Sequence, residues 1–193
     1  APANIYRPIG AFNITYNPLE KYPPERIVPT EFDSLFRKQL LRGTVHDEGT
    51  AMLGGVSGHA GLFSTGNDLL KLVEMYRRGG EYGGVRVLSS DVLKEFTRVQ
   101  YPGNENRRAL GFDKPLLGND TIPPDEAYPC HSASPSSFGH SGFTGTFIWC
   151  DPEEEISYVF LSNRVYPTRN NNQLSNLSIR GRILQAVYDA RTD

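Results

Sequence analysis

Two apolar runs near the C-terminal end, over 144–150 and from Ile156 to Ser162, are joined by the turn-forming Asp151-Pro152-Glu153-Glu154. Strand-like segments separated by so short a connection pair antiparallel, because a parallel return needs a long crossover. Tyr158, Val159, Phe160 and Leu161 make the second run a buried strand. A third strand over 137–140 precedes them, with Ser141-Gly142-Phe143 at its end. Leu174, Leu177, Ile183, Leu184 and Val187 then predict a terminal helix that covers the sheet. With helices upstream, this order predicts an α/β (α+β) domain, an antiparallel sheet flanked by helices.

The upstream half reads as follows. Residues 1–29 carry Pro2, Pro8, Pro18, Pro23, Pro24 and Pro29 and predict an irregular lead-in without helix. Thr30 offers an N-cap with Asp33 three places on, and Phe32, Leu35, Phe36, Leu40 and Leu41 predict a short helix ended by Gly43. Gly54, Gly55, Gly58 and Gly61 demand sharp turns or close packing. Ser64 or Thr65 caps the next helix, with Leu69, Leu70, Leu72, Val73 and Tyr76 inward and Asp68 in its first turn, before Gly79-Gly80 stops it. Gly83-Gly84 with Val85, Val87 and Leu88 reads as a short strand or hairpin arm. Ser89 caps a further helix with Val92, Leu93 and Phe96 inward. Prolines then interrupt 100–136, leaving Ala109-Leu110-Gly111-Phe112 as one brief strand.

Several function classes are disfavoured. A formal net charge of -2 and the lack of a basic stripe give no reason to expect nucleic acid. No apolar run is long enough to cross a membrane as a helix. No glycine-rich strand-to-helix turn cradles phosphate, so no nucleotide cofactor is expected. His46, Asp47, Glu48 and His59 lack metal-ligand spacing, and a supporting role at the glycine-rich turn is the better reading. Cys130 and Cys150 bracket His140, and either a disulfide or two buried thiols fits that spacing. His131 is expected to face solvent within a loop over 118–137 that either rims a pocket or is plain surface. Tyr101, Phe112 and Tyr128 read equally as pocket lining or as packing.

Val45-His46-Asp47-Glu48, the run from Gly54 to Thr65, Leu88-Ser89-Ser90-Asp91-Val92-Leu93 and Gly139-His140-Ser141-Gly142-Phe143-Thr144-Gly145-Thr146 together resemble the penicillin-recognising serine hydrolases, nearest to class C β-lactamase-like esterases and peptidases. The resemblance extends from about Pro8 to Val187 and is to the C-terminal part of such a domain, so residues 1–193 are expected to form part of a single β-lactamase-like domain. It implies acyl-enzyme hydrolysis of an ester, a peptidoglycan peptide or a β-lactam. By carry-over, His140 polarises the site or assists proton transfer, and Ser141 binds a substrate carboxylate or a catalytic tyrosine. Gly142 lets substrate approach, the Phe143 N–H serves the oxyanion hole, and Thr144 is a further substrate or oxyanion contact. His46 and His59 support.

The family's Ser-x-x-Lys and Tyr-x-Asn elements have no counterpart: no serine here has a lysine three places on, and Ser34 is followed by Arg37. The chain alone is therefore expected to be inactive and to rely on an N-terminal half, or to self-associate as a homo-oligomer. The resemblance also suggests a periplasmic or cell-envelope setting, in some members behind a fused glycoside hydrolase domain. The alternative is a non-catalytic binding or structural module.

Overall fold

The computed structural model describes residues 2–191. Its centre is a three-stranded antiparallel sheet of β5 (Phe138–Ser141), β6 (Phe147–Asp151) and β7 (Ile156–Phe160), in that spatial order. Alternation along β6 sends its side chains to two faces. Phe147 and Trp149 join Ile156, Leu184 and Tyr188 in one core, so that face is covered by α5 (Ile179–Asp189). Cys150 joins Phe138 and Val73 in another, with Ile148 and Val159 against it, so the opposite face is covered by α2 (Gly66–Arg77). The sheet is thus buried on both sides, which is why its strands read as continuous apolar runs. Full burial of a side chain such as Phe147 or Leu184 contributes about 1.5–3 kcal/mol.

Local signals account for α2. The Thr65 hydroxyl accepts the Asp68 N–H, and Gly79 and Gly80, both at positive φ, follow the last turn. Asp68 does more than complement the helix dipole. It is buried, accepts Asn13 N–H at 2.7 Å and the Asn13 amide at 2.9 Å, and pairs with Lys71. The lead-in is thereby tied to α2, and Tyr6, Ile9, Ala11 and Ile14 form a core with Met75. The lead-in is also less featureless than its prolines suggest: Pro2–Tyr6 is a helical turn, and Pro18–Glu20 and Pro24–Arg26 are short 3-10 turns.

Several expectations are overturned; Leu70, Leu177 and Ile183, read as packing inward, are exposed. The segment around Asp33 is not a helix but a hairpin of β1 (Pro29–Asp33) and β2 (Gln39–Arg42). The Asp33 carboxylate accepts the N–H groups of Leu35, Phe36 and Arg37 and pairs with the Arg37 guanidinium, closing a turn that competes with helix. Of the apolar stripe only Leu41 is buried; Phe32, Leu35, Phe36 and Leu40 are exposed. In α3 (Ser90–Thr97), which Ser89 caps, Leu93 is buried but Val92 and Phe96 are exposed. Ala109–Phe112 is a turn closed by Ala109 N–H to Phe112 O, and the strand-like bridge forms one residue later, between Asp113 and Gly139. The hairpin expected at Gly83-Gly84 is present as β3 (Glu81–Tyr82) and β4 (Val85–Arg86). A five-residue helix α1 (Glu48–Met52), N-capped by Asp47, a 3-10 turn at Pro102–Asn104 and α4 (Gln173–Asn176) complete the elements.

Cys130 and Cys150 are buried and unbonded, and burial pushes both thiols up to about 12. His131 is half-buried, not solvent-facing.

Candidate functional site: the open end of the outer strand

β5 is an outer strand. Its first half is covered by the segment at Asp113, whose N–H donates to Gly139 O at 2.7 Å while Gly139 N–H returns to Asp113 O at 3.0 Å. Past that bridge the strand runs out through His140 and Ser141 into the turn Gly142–Thr146. Register places His140 opposite Ile148 and Ser141 opposite Phe147, so the two side chains leave on opposite faces. His140 is exposed, with Nδ1 2.8 Å from Ser141 O and Nε2 3.5 Å from Arg108 Nη1.

Behind this edge lies a charged cluster. Asp113 is buried and pairs with Arg108 at 2.5 Å and Arg107 at 3.5 Å. The Tyr128 hydroxyl donates to Asp113 Oδ2 at 2.9 Å, and Ser141 lies against the same phenol. Burial, then the Asp113 charge, pushes Tyr128 up to about 12, so it stays a neutral donor. Arg107 sits 4.5 Å over the Tyr128 ring. The half-exposed Arg108 pairs with Asp113 through Nη1 and approaches His140 with the same nitrogen.

The turn beyond Ser141 requires glycine. Gly145 has φ +125°, and a Cβ there would lie 2.6 Å from Ser162 Oγ. Phe143 is exposed and is flanked on two sides: the His46 ring stacks on it at 5.6 Å and the Arg164 guanidinium lies 4.5 Å from its centroid. His46 is held in turn by Glu31, whose Oε2 lies 2.7 Å from Nε2. Burial alone would raise the Glu31 carboxyl, but hydrogen bonds from Arg169 and His46 outweigh it and hold it below the ordinary carboxylate range. Arg169 also bridges to Glu48 at 2.8 Å.

The structure therefore brings His46 to the strand end through Phe143, together with His140, Ser141, Gly142 and Thr144. His59 is placed differently: from the glycine-rich turn it contacts Ser57 of that turn and Asp47 and Thr50 of the capped helix α1. Among the described residues no three His, Cys, Asp or Glu side chains gather as a metal-ligand set. Asp113, Arg107, Arg108, Arg164 and Arg180 were not singled out from sequence. The adjacent pair Arg107-Arg108 before the Ala109–Phe112 turn is the one signal available for them. Arg164 and Arg180 reach the turn from 21 and 38 residues away, with nothing in the local pattern to mark them.

Comparison with known proteins adds three findings. The family profile described as Beta-lactamase matches residues 4–177. A curated protein of Escherichia coli strain K12 is 33% identical over 208 residues, covering 97% of this chain and 46% of its own length. One of Salmonella typhi is 34% identical over 197 residues, covering 95% and 44%. Both carry the provisional name D-alanyl-D-alanine carboxypeptidase. The chain thus spans about half the length of the curated relatives it matches. Among solved structures, a Mycobacterium bovis β-lactamase aligns with TM-score 0.45 at 23% identity, covering 67% of this chain and 46% of that one.

Proposed function

The chain belongs to the β-lactamase family of serine hydrolases, and from that premise we propose that it supplies one wall of an acyl-transfer cleft, with the nucleophile contributed by sequence outside these 193 residues. The observation that carries this reading is the open end of β5. His140 and Ser141 stand at an uncovered strand end, and the Phe143 N–H meets no protein acceptor among the described residues. Such a free N–H suits an oxyanion that develops when a serine oxygen adds to a carbonyl carbon and the carbonyl π electrons move to oxygen.

In this reading, the Ser141 hydroxyl binds the substrate carboxylate or a catalytic tyrosine, and His140 assists proton transfer at the same edge. Gly142 lets substrate approach, Thr144 borders the approach, and His46 supports Phe143. Arg108 adds positive charge where a substrate carboxylate would lie, which favours peptides with a free C-terminus over neutral esters. The relatives' carboxypeptidase name points the same way and to an envelope-related role. No helix among the described residues is long and apolar enough to cross a membrane.

The second reading, a non-catalytic binding module, is favoured by one observation: no serine of the 193 has a lysine three positions on. Intact-mass analysis after treatment with a fluorescent penicillin or a fluorophosphonate separates the two. The expected result is a covalent adduct on the complete gene product and none on the 193-residue chain. An unlabelled complete product would favour the binding module, and an adduct on the 193-residue chain would place the nucleophile among its own serines.

A further inference from the structure

The turn Gly142–Thr146 is held from behind by two arginines that are remote in sequence. Arg180, in the first turn of α5, donates through Nη2 to Gly142 O at 2.9 Å and through Nε to Gly145 O at 3.2 Å. Arg164, beyond β7, donates through Nε to Phe143 O at 2.8 Å, and its backbone N–H donates to Thr144 O at 2.9 Å. Gly142 O also accepts Gly145 N–H at 3.1 Å. These bonds fix four consecutive carbonyls of the turn, Gly142 to Gly145.

A trans peptide directs its C=O and N–H to opposite sides. The Gly142–Phe143 peptide is trans, since the cis bonds among the described residues are Tyr128-Pro129 and Tyr166-Pro167. With Gly142 O drawn to Arg180 on one side, the Phe143 N–H is directed to the other, away from that guanidinium. A charged donor on the carbonyl also polarises the amide and strengthens its N–H as a donor. Among the described residues, the Arg180 side chain donates its hydrogen bonds to backbone carbonyls of this turn and to no side chain.

The geometry points to Arg180 as a positioning residue for the oxyanion hole: it sets the direction and donor strength of the Phe143 N–H. Arg164 secures the following peptide and the Phe143 ring. This inference rests on the acyl-transfer reading given above, because it assigns the Phe143 N–H to the developing oxyanion.

The test uses the complete gene product and three variants: Arg180→Ala, Arg180→Lys and, as a control on an exposed position of the same helix, Arg182→Ala. The readouts are adduct formation with a fluorophosphonate, kcat and KM on a chromogenic ester, affinity for a boronic acid inhibitor, and the thermal unfolding midpoint. Arg180→Ala is expected to lower kcat and boronate affinity together by roughly 10- to 100-fold, less than the loss on deleting an oxyanion donor outright. KM stays within about twofold, because the N–H matters when charge develops. Arg180→Lys keeps the charge but not the fork, so it falls between, and it carries the test if Arg180→Ala does not fold. Arg182→Ala matches the parent. A folded Arg180 variant with unchanged kcat, or with only KM raised, overturns the inference while leaving the acyl-transfer reading intact. A parent that forms no adduct and turns over no ester overturns that reading, and the inference with it.

Discussion

The sheet face under α5 and the β1–β2 hairpin draw on the same kinds of residue and end in opposite states. Phe147 and Trp149 are buried, whereas Phe32, Leu35, Phe36 and Leu40 stand exposed. The difference lies in what covers them. β6 has a strand on each side and a helix on each face, all from this chain. β1 and β2 have only each other as strand partners among the described residues, and an isolated two-stranded ribbon buries little. Met52, Leu53, Val56 and Leu62 extend the exposed apolar set into the glycine-rich segment. An apolar pattern thus reports burial only where a second layer exists to receive it, and uncovered patches of this kind mark association surfaces.

The comparison is broken most directly by Trp149→Ala, which should cost about 3–5 kcal/mol in urea unfolding, since a fully buried aromatic leaves a cavity. A loss no larger than that of a hairpin variant would show that the three layers do not dominate stability.

Glu74→Gln probes how α2 is fastened to β7, because Glu74 accepts the Ser157 hydroxyl at 2.7 Å. The Arg77 guanidinium first, then Ser157 and Arg78 against the opposing effect of burial, hold the Glu74 carboxyl at about 2. A folded-state pKa below the unfolded one stabilises above the unfolded value and is lost as pH falls through the folded value. The variant should therefore lose up to about 3 kcal/mol at pH 7, with the gap to the parent narrowing as pH falls from 4.5 toward 2. Urea titrations at pH 7 and pH 3 check this; an equal gap at both would remove Glu74 from the account.

Leu35→Ser combined with Phe36→Ser should change unfolding by no more than about 0.5 kcal/mol, as for other exposed positions. It should still reduce self-association in light scattering, and a monodisperse, monomeric parent would contradict that expectation.

The sheet was legible because a short turn between apolar runs leaves one pairing, and α2 because Thr65 and Gly79-Gly80 mark its ends. The hairpin was misread because Phe32, Leu35 and Phe36 fall at helical spacing while Asp33 organises a turn that no periodicity shows. At the site, His140 through Thr144 were visible as a contiguous motif. The groups that fix them were not: Arg108 reaches His140 across 32 residues, and Asp113 meets Gly139 by a single bridge. Such partners are set by how the layers stack, which local pattern does not encode.

Hydrogen exchange followed by mass spectrometry, on the 193-residue chain and on the complete gene product side by side, tests the central contrast. The account predicts that β5, β6, β7 and α5 are equally protected in both, while the β1–β2 hairpin and the glycine-rich segment gain protection only in the complete product. Equal protection of the hairpin in both samples would contradict it.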